Sequence, residues 1–185
     1  MGFNIWNIAV PIAEKEAALA AIGVVEADQA DEDCQSPCSG AVGPKGHYII
    51  WKNGRHGDVS PSELGALKKL TEALILNVYE GIMCGELIQL RDGAEVWRIA
   101  YEGIEGTPVF MPSGNVPREV LDLYEDLLSK QAAEDGKGGM SADHTFEILS
   151  MSFQKATSFK YDISSGTEFY VLEPEPIKPW WKFWQ

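Results

Sequence analysis

The chain has 185 residues, with 15 basic against 28 acidic side chains and a formal net charge of −13. Hydrophobic residues make up 45% of it and charged residues 23%, the balance of an ordinary folded domain rather than of a collagenous, coiled-coil or disordered chain. No uninterrupted apolar run reaches the roughly 18 residues of a membrane span, and the start, MGFNIWNIAVPIAEKEA, lacks the basic region of a secretory signal. The expectation is a cytoplasmic single domain over residues 1–173, followed by a Pro/Trp-rich tail over 174–185.

FNIWNIAV (3–10) is dominated by aromatic and β-branched residues and reads as a strand. Pro11 opens a helix over about 11–22, where alanine and charged helix formers take over, and Gly23 stops it. Residues 26–46, EADQADEDCQSPCSGAVGPKG, carry no hydrophobic period and are rich in Asp, Ser, Gly and Pro; they read as a long acidic loop, disordered or a mobile flap. HYIIWK (47–52) returns to strand, and Asn53-Gly54 is a turn signal. Ser60-Pro61-Ser62-Glu63 is a capping box with Pro at the first helical position, and Leu64, Leu67, Leu70 and Leu74 follow at helical spacing.

The apolar stretch 73–90 divides near Gly81–Gly85 into two strands, about 75–80 and 86–91. Asp92-Gly93 then makes a hairpin into EVWRIAYE (95–102), with Trp97, Ile99 and Tyr101 on one face. A Gly/Pro-rich turn, EGTPVFMPSGN, precedes a helix that starts at Pro117 with the apolar stripe Val120, Leu121, Leu123, Tyr124, Leu127 and Leu128. EDGKGGMSA (134–142) is a connector, Asp143 a candidate cap for a helix over about 144–157, and TEFYVLE (167–173) a closing strand. The mixture predicts an α+β fold: a largely antiparallel sheet of about five or six strands, with three or four helices packed mainly on one face.

Charge sets the first bound on function. Negative charge runs along the whole chain with a local excess at Glu26–Asp33, and no basic stripe exists. Nucleic acid and anionic membranes are both bound by clustered Lys and Arg, so neither is an expected partner. The same acidity would steer the protein toward a basic one.

Catalytic and metal signatures are sparse. Cys34, Cys38, His47 and His56 are residue types that zinc accepts, but their spacing does not form two well-placed pairs. Asp28, Asp31, Glu32 and Asp33 lack the glycine and terminal Glu of a calcium loop. Cys84 with an imidazole from His47, His56 or His144 would form a thiol nucleophile pair, although its apolar setting favours simple burial. His56 and Asp58 sit at a turn before a helix and are the remaining acid–base candidates. Nucleotide-binding glycine motifs are absent, and no cofactor is implied.

Trp180, Trp181 and Trp184 crowd the Pro-spaced tail, and tryptophan side chains anchor interfaces. The sequence therefore points to a domain without catalytic activity that binds a protein partner, a basic one, through Trp180, Trp181, Trp184, Asp28, Asp31, Glu32 and Asp33. Bacterial immunity and antitoxin proteins illustrate that class. The alternatives are a small hydrolase or metal-dependent enzyme with a site near His56 and Asp58, and a structural component that oligomerises through its Trp-rich tail.

Overall fold

The computed structural model describes residues 2–104, 107–136, 143–163 and 166–176. One nine-stranded, wholly antiparallel sheet organises them, in the order β2-β9-β3-β4-β1-β5-β6-β7-β8. The strands are β1 (Asn4–Pro11), β2 (Val24–Ala30), β3 (Cys38–Val42), β4 (His47–Asn53), β5 (Glu72–Tyr79), β6 (Cys84–Arg91), β7 (Ala94–Ile104), β8 (Thr107–Gly114) and β9 (Tyr170–Pro174). Four α-helices accompany them: α1 (Lys15–Ile22), α2 (Pro61–Leu67), α3 (Arg118–Asp135) and α4 (Ile148–Thr157). None is long and apolar enough to cross a membrane.

The α+β class stands, but the sheet is larger than the sequence suggested and its helices cover both faces. On one face Trp6, Ile8, Val10, Tyr48, Ile50, Ile75 and Ile88 pack with Ala18 and Leu19 of α1 and Leu67 of α2. On the other, Ile5, Ala9, Ile49, Trp51, Leu76, Leu87, Ile99 and Tyr101 pack with Val120 and Leu127 of α3 and Ile148, Leu149 and Phe153 of α4. The physical signature was present in β1 and β4, whose residues run apolar without alternation because both sides of the strand are buried.

Local signals translate directly. Ser60 Oγ accepts from the Glu63 N–H and the Glu63 carboxylate accepts from the Ser60 N–H, which closes the capping box at the start of α2. That helix ends at Leu67, so Leu70 lies in the following turn and Leu74 on β5, shorter than the leucine spacing implied. Asp92 and Gly93 have φ of 49° and 84°, the left-handed pair that a two-residue hairpin requires, and β6 pairs with β7 as expected. Asp143 Oδ1 accepts from the Thr145 and Phe146 N–H groups at the entry to a short 3-10 turn, Thr145–Glu147, whose N-cap position is His144 and which leads into α4. Of the connector expected over 134–142, Glu134 and Asp135 instead complete α3 and Gly136 caps it, while residues 137–142 lie outside the described residues.

Two segments read as loops are strands. Residues 26–46 are not a flap: they hold most of β2, all of β3 and the turn between them. β2 is an exposed edge strand with little apolar surface to reveal it, whereas β3, CSGAV, is buried but built from small residues. The segment EGTPVFMPSGN contains β8, the opposite edge. Pro108 and Pro112 lack an N–H, which suits an edge strand and leaves it a poor template for further pairing.

Candidate functional site: an acidic–aromatic groove

At the β1 N-terminal end of the sheet, on the α3/α4 face, two adjoining clefts of about 280 and about 320 Å³ share Phe3, Asp33, Cys34 and Trp51. One wall is the β2–β3 turn and the other is the segment that follows α4.

The β2–β3 turn is built around Asp31. Its buried carboxylate accepts from the Gln35 N–H (3.0 Å), the Ser36 N–H (3.0 Å) and the Ser39 hydroxyl, while its own N–H donates to the Phe169 carbonyl (2.8 Å). Burial pushes the Asp31 carboxyl up, but the Ser39 hydroxyl and the Ser36 and Gln35 N–H groups outweigh it, and the group lies below its ordinary value. A carboxyl lowered on folding stabilises the native state above its unfolded value, about 3.9, and loses that contribution as pH falls further. The urea midpoint is therefore expected to drop between neutral pH and about pH 3, and Asp31→Asn to flatten part of that drop. An unchanged pH profile in the variant would exclude Asp31 as a contributor.

Asp31 is thus committed to the fold, and the carboxylates it leaves at the rim are the exposed Glu32 and Asp33. Cys34 packs beneath them against the α3/α4-side core. Burial, then the charges of Asp31 and Asp33, push its thiol up to about 12, so it stays protonated.

The opposite wall begins where α4 stops. Ser158 adopts a left-handed φ of 61°, and Thr157 Oγ1 donates to the Phe153 carbonyl (2.8 Å) and accepts from the Phe159 N–H (3.1 Å). The chain turns back and delivers Phe159 and Tyr161 to the groove. An edge-to-face series results, with ring centroids at 5.2 Å for Tyr161–Phe3, 6.1 Å for Phe3–Trp51 and 6.2 Å for Trp51–Phe169. The Tyr161 hydroxyl donates to Glu80 Oε1 (3.0 Å), and the Phe3 N–H donates to Glu80 Oε2 (2.9 Å). Burial and then the Glu80 charge hold the Tyr161 phenol above its ordinary value. At the outer rim Asp162 pairs with Lys160 at 2.9 Å. Trp51 is 6% exposed, and its indole N–H has no hydrogen-bond partner.

Of the residues singled out from sequence, Glu32, Asp33 and Cys34 reach this groove, and Asp28 lies exposed on the edge strand β2. The cysteine–histidine set is not brought together. Cys38 is buried in the α1/α2-side layer, opposite Cys34, with a thiol that burial pushes up to about 12. His47 begins β4 and His56 follows its other end, beyond a strand that spans roughly 20 Å at about 3.3 Å per residue. Among the described residues no cluster of three or more His, Cys, Asp or Glu is placed to hold a metal.

Asp58 Oδ1 accepts from the Trp6 indole N–H at 3.2 Å, and Lys52 Nζ donates to the Asp58 carbonyl at 2.9 Å, so this turn ties α2 to the sheet. His56 is exposed beside it. Cys84 starts β6, between Tyr79 and Glu102, where burial and the Glu102 charge raise its thiol. His144 is buried near α3, with Nε2 2.6 Å from Glu134. Trp180, Trp181 and Trp184 lie outside the described residues.

Phe3, Trp51, Tyr161 and Asp162 are the groove residues that sequence reasoning did not select. The available signal was the aromatic spacing of Phe159, Tyr161 and Phe169 in the sequence, masked by the ambiguity of the preceding helix. No protein-family model matches the chain, and neither comparison with curated proteins nor comparison with solved structures gave a significant match.

Proposed function

We propose that this protein is a non-enzymatic binding domain whose acidic–aromatic groove receives a basic side chain of a positively charged protein partner, as an immunity or antitoxin protein neutralises its target. The carrying observation is the meeting, in one groove, of the exposed rim carboxylates Glu32 and Asp33 with the rings of Phe3, Trp51 and Tyr161. A guanidinium or ammonium group gains from both: the carboxylates supply charge, and an aromatic face contributes roughly 0.5–2 kcal/mol, more when desolvated. The net charge of −13 adds long-range steering toward such a partner. Asp28 extends the acidic surface along β2, and Trp180, Trp181 and Trp184 are the further aromatic contacts of this reading.

Capture from native lysate at low ionic strength tests it. A basic protein should be retained, released as salt rises through the range where surface charges are screened, and lost with Glu32→Lys/Asp33→Lys. Retention that ignores both salt and the double substitution would overturn the reading. Replacing Trp180, Trp181 and Trp184 together by serine should weaken capture as well; unchanged capture would remove the tail from the proposal.

A further inference from the structure

A third cleft, of about 320 Å³, lies on the same face of the sheet between the start of α3, the end of α4 and strands β5–β7. Its floor is apolar and buried, made by Leu74, Trp97 and Val120. Three features of its polar lining point to an anion. α3 is an 18-residue helix whose N-cap is Pro117, so no side chain accepts from its first-turn N–H groups, and the positive end of the helix opens on the cleft. Ser152 is 5% exposed, and its Oγ has no hydrogen-bond partner. A helical serine ordinarily donates to the carbonyl four residues earlier, here Ile148, and this one does not. Lys155 lines the same cleft, and among the described residues its ammonium has no carboxylate partner.

Arg91 adds a second cation at the rim, shared with Glu72 at 2.9 Å. Glu119, exposed on the first turn of α3, is the one acid in the lining. With Arg91 held by Glu72 and Glu119 at the rim, the cleft is close to neutral in a strongly acidic protein, and Lys155 is its uncommitted cation among the described residues. An apolar pocket of roughly 300 Å³ or more with a few convergent polar groups is the usual form of a small-molecule site.

We propose that this cleft binds a small molecule with an apolar body and a single carboxylate. The carboxylate sits between the α3 N-terminus and Lys155, where it accepts from Ser152 Oγ, and the apolar body lies on Leu74, Trp97 and Val120. The site is separate from the acidic–aromatic groove and takes a ligand of opposite charge.

The test is an amide and indole NMR titration of the full chain with 4-phenylbutyrate and, in parallel, with uncharged 4-phenylbutanol. Saturable shifts are expected at Trp97, Val120 and Ser152, with the acid bound at least about tenfold more tightly than the alcohol, or about 1.4 kcal/mol. Lys155→Glu, at an exposed position, should remove that preference, and Ser152→Ala should weaken the acid severalfold. Absence of saturable shifts, equal affinity for acid and alcohol, or a Lys155→Glu protein that binds the acid as before would overturn the assignment.

Discussion

Phe153→Ala is expected to destabilise the protein by about 3–5 kcal/mol, the cost of deleting a buried aromatic ring from a packed interior. Phe153 is 1% exposed on the sheet-facing side of α4, among the side chains that join α4 to the sheet, with the Phe159 ring 6.5 Å away edge-to-face. Against a total stability of about 5–15 kcal/mol for a domain, that loss is large, and the melting temperature should fall by about 10 °C. Phe159 is the first residue of the groove wall, so the cavity opens directly under the proposed binding site. The check is chemical denaturation of wild type, Phe153→Leu and Phe153→Ala. The leucine variant should lose much less because it leaves a smaller void. Equal losses in both would show that ring volume is not what α4 requires at this position.

Gly40→Val is expected to cost about 3 kcal/mol or more through overpacking. A Cβ at Gly40 would lie 2.0 Å from the Tyr48 hydroxyl oxygen and 2.7 Å from its Cζ. Tyr48 has little room to yield: it is 0% exposed, its hydroxyl donates to Glu26 Oε2 at 2.6 Å, and Lys15 Nζ sits 4.8 Å from the ring centroid. Moving the ring would break the contact that fastens β2 to the centre of the sheet. Gly65, inside α2 with nothing within 4 Å of its would-be Cβ, is the control. Gly65→Ala should stabilise by up to about 1 kcal/mol through helix propensity. Paired urea titrations decide the matter, and similar midpoints for the two variants would refute the steric account.

The same glycine explains why β3 was illegible in the sequence. A strand is recognised by branched and aromatic side chains, but the place of β3 beside β4 leaves no room for them, because Tyr48 lies across Gly40. Cys38, Ser39, Gly40 and Ala41 are buried precisely by being small, and the result looks like loop composition. β2 and β8 were missed for the opposite reason. As edge strands they bury few side chains, and their pairing energy comes from backbone bonds to β9 and β7. The groove was only partly legible. Glu32 and Asp33 stand out as a charge run, but Phe3, Trp51, Tyr161 and Phe169 are far apart in the chain and meet only because the sheet order puts β9, β3, β4 and β1 side by side.

By itself the sequence determined whatever is encoded within a few residues: the capping box at Ser60–Glu63, the left-handed pair Asp92-Gly93 and the hairpin it closes, the part of the α3 stripe made by Val120, Leu123, Tyr124 and Leu127 (Leu128 of the same stripe is exposed), and the acidic balance of the whole chain. Tertiary structure alone decided the nine-strand order, the helices on both faces and the meeting of rings and carboxylates in one groove. The reason is that a local signal needs only backbone preference and side-chain period. Which strand lies beside which, by contrast, depends on how distant surfaces fit once both faces of the sheet must be covered.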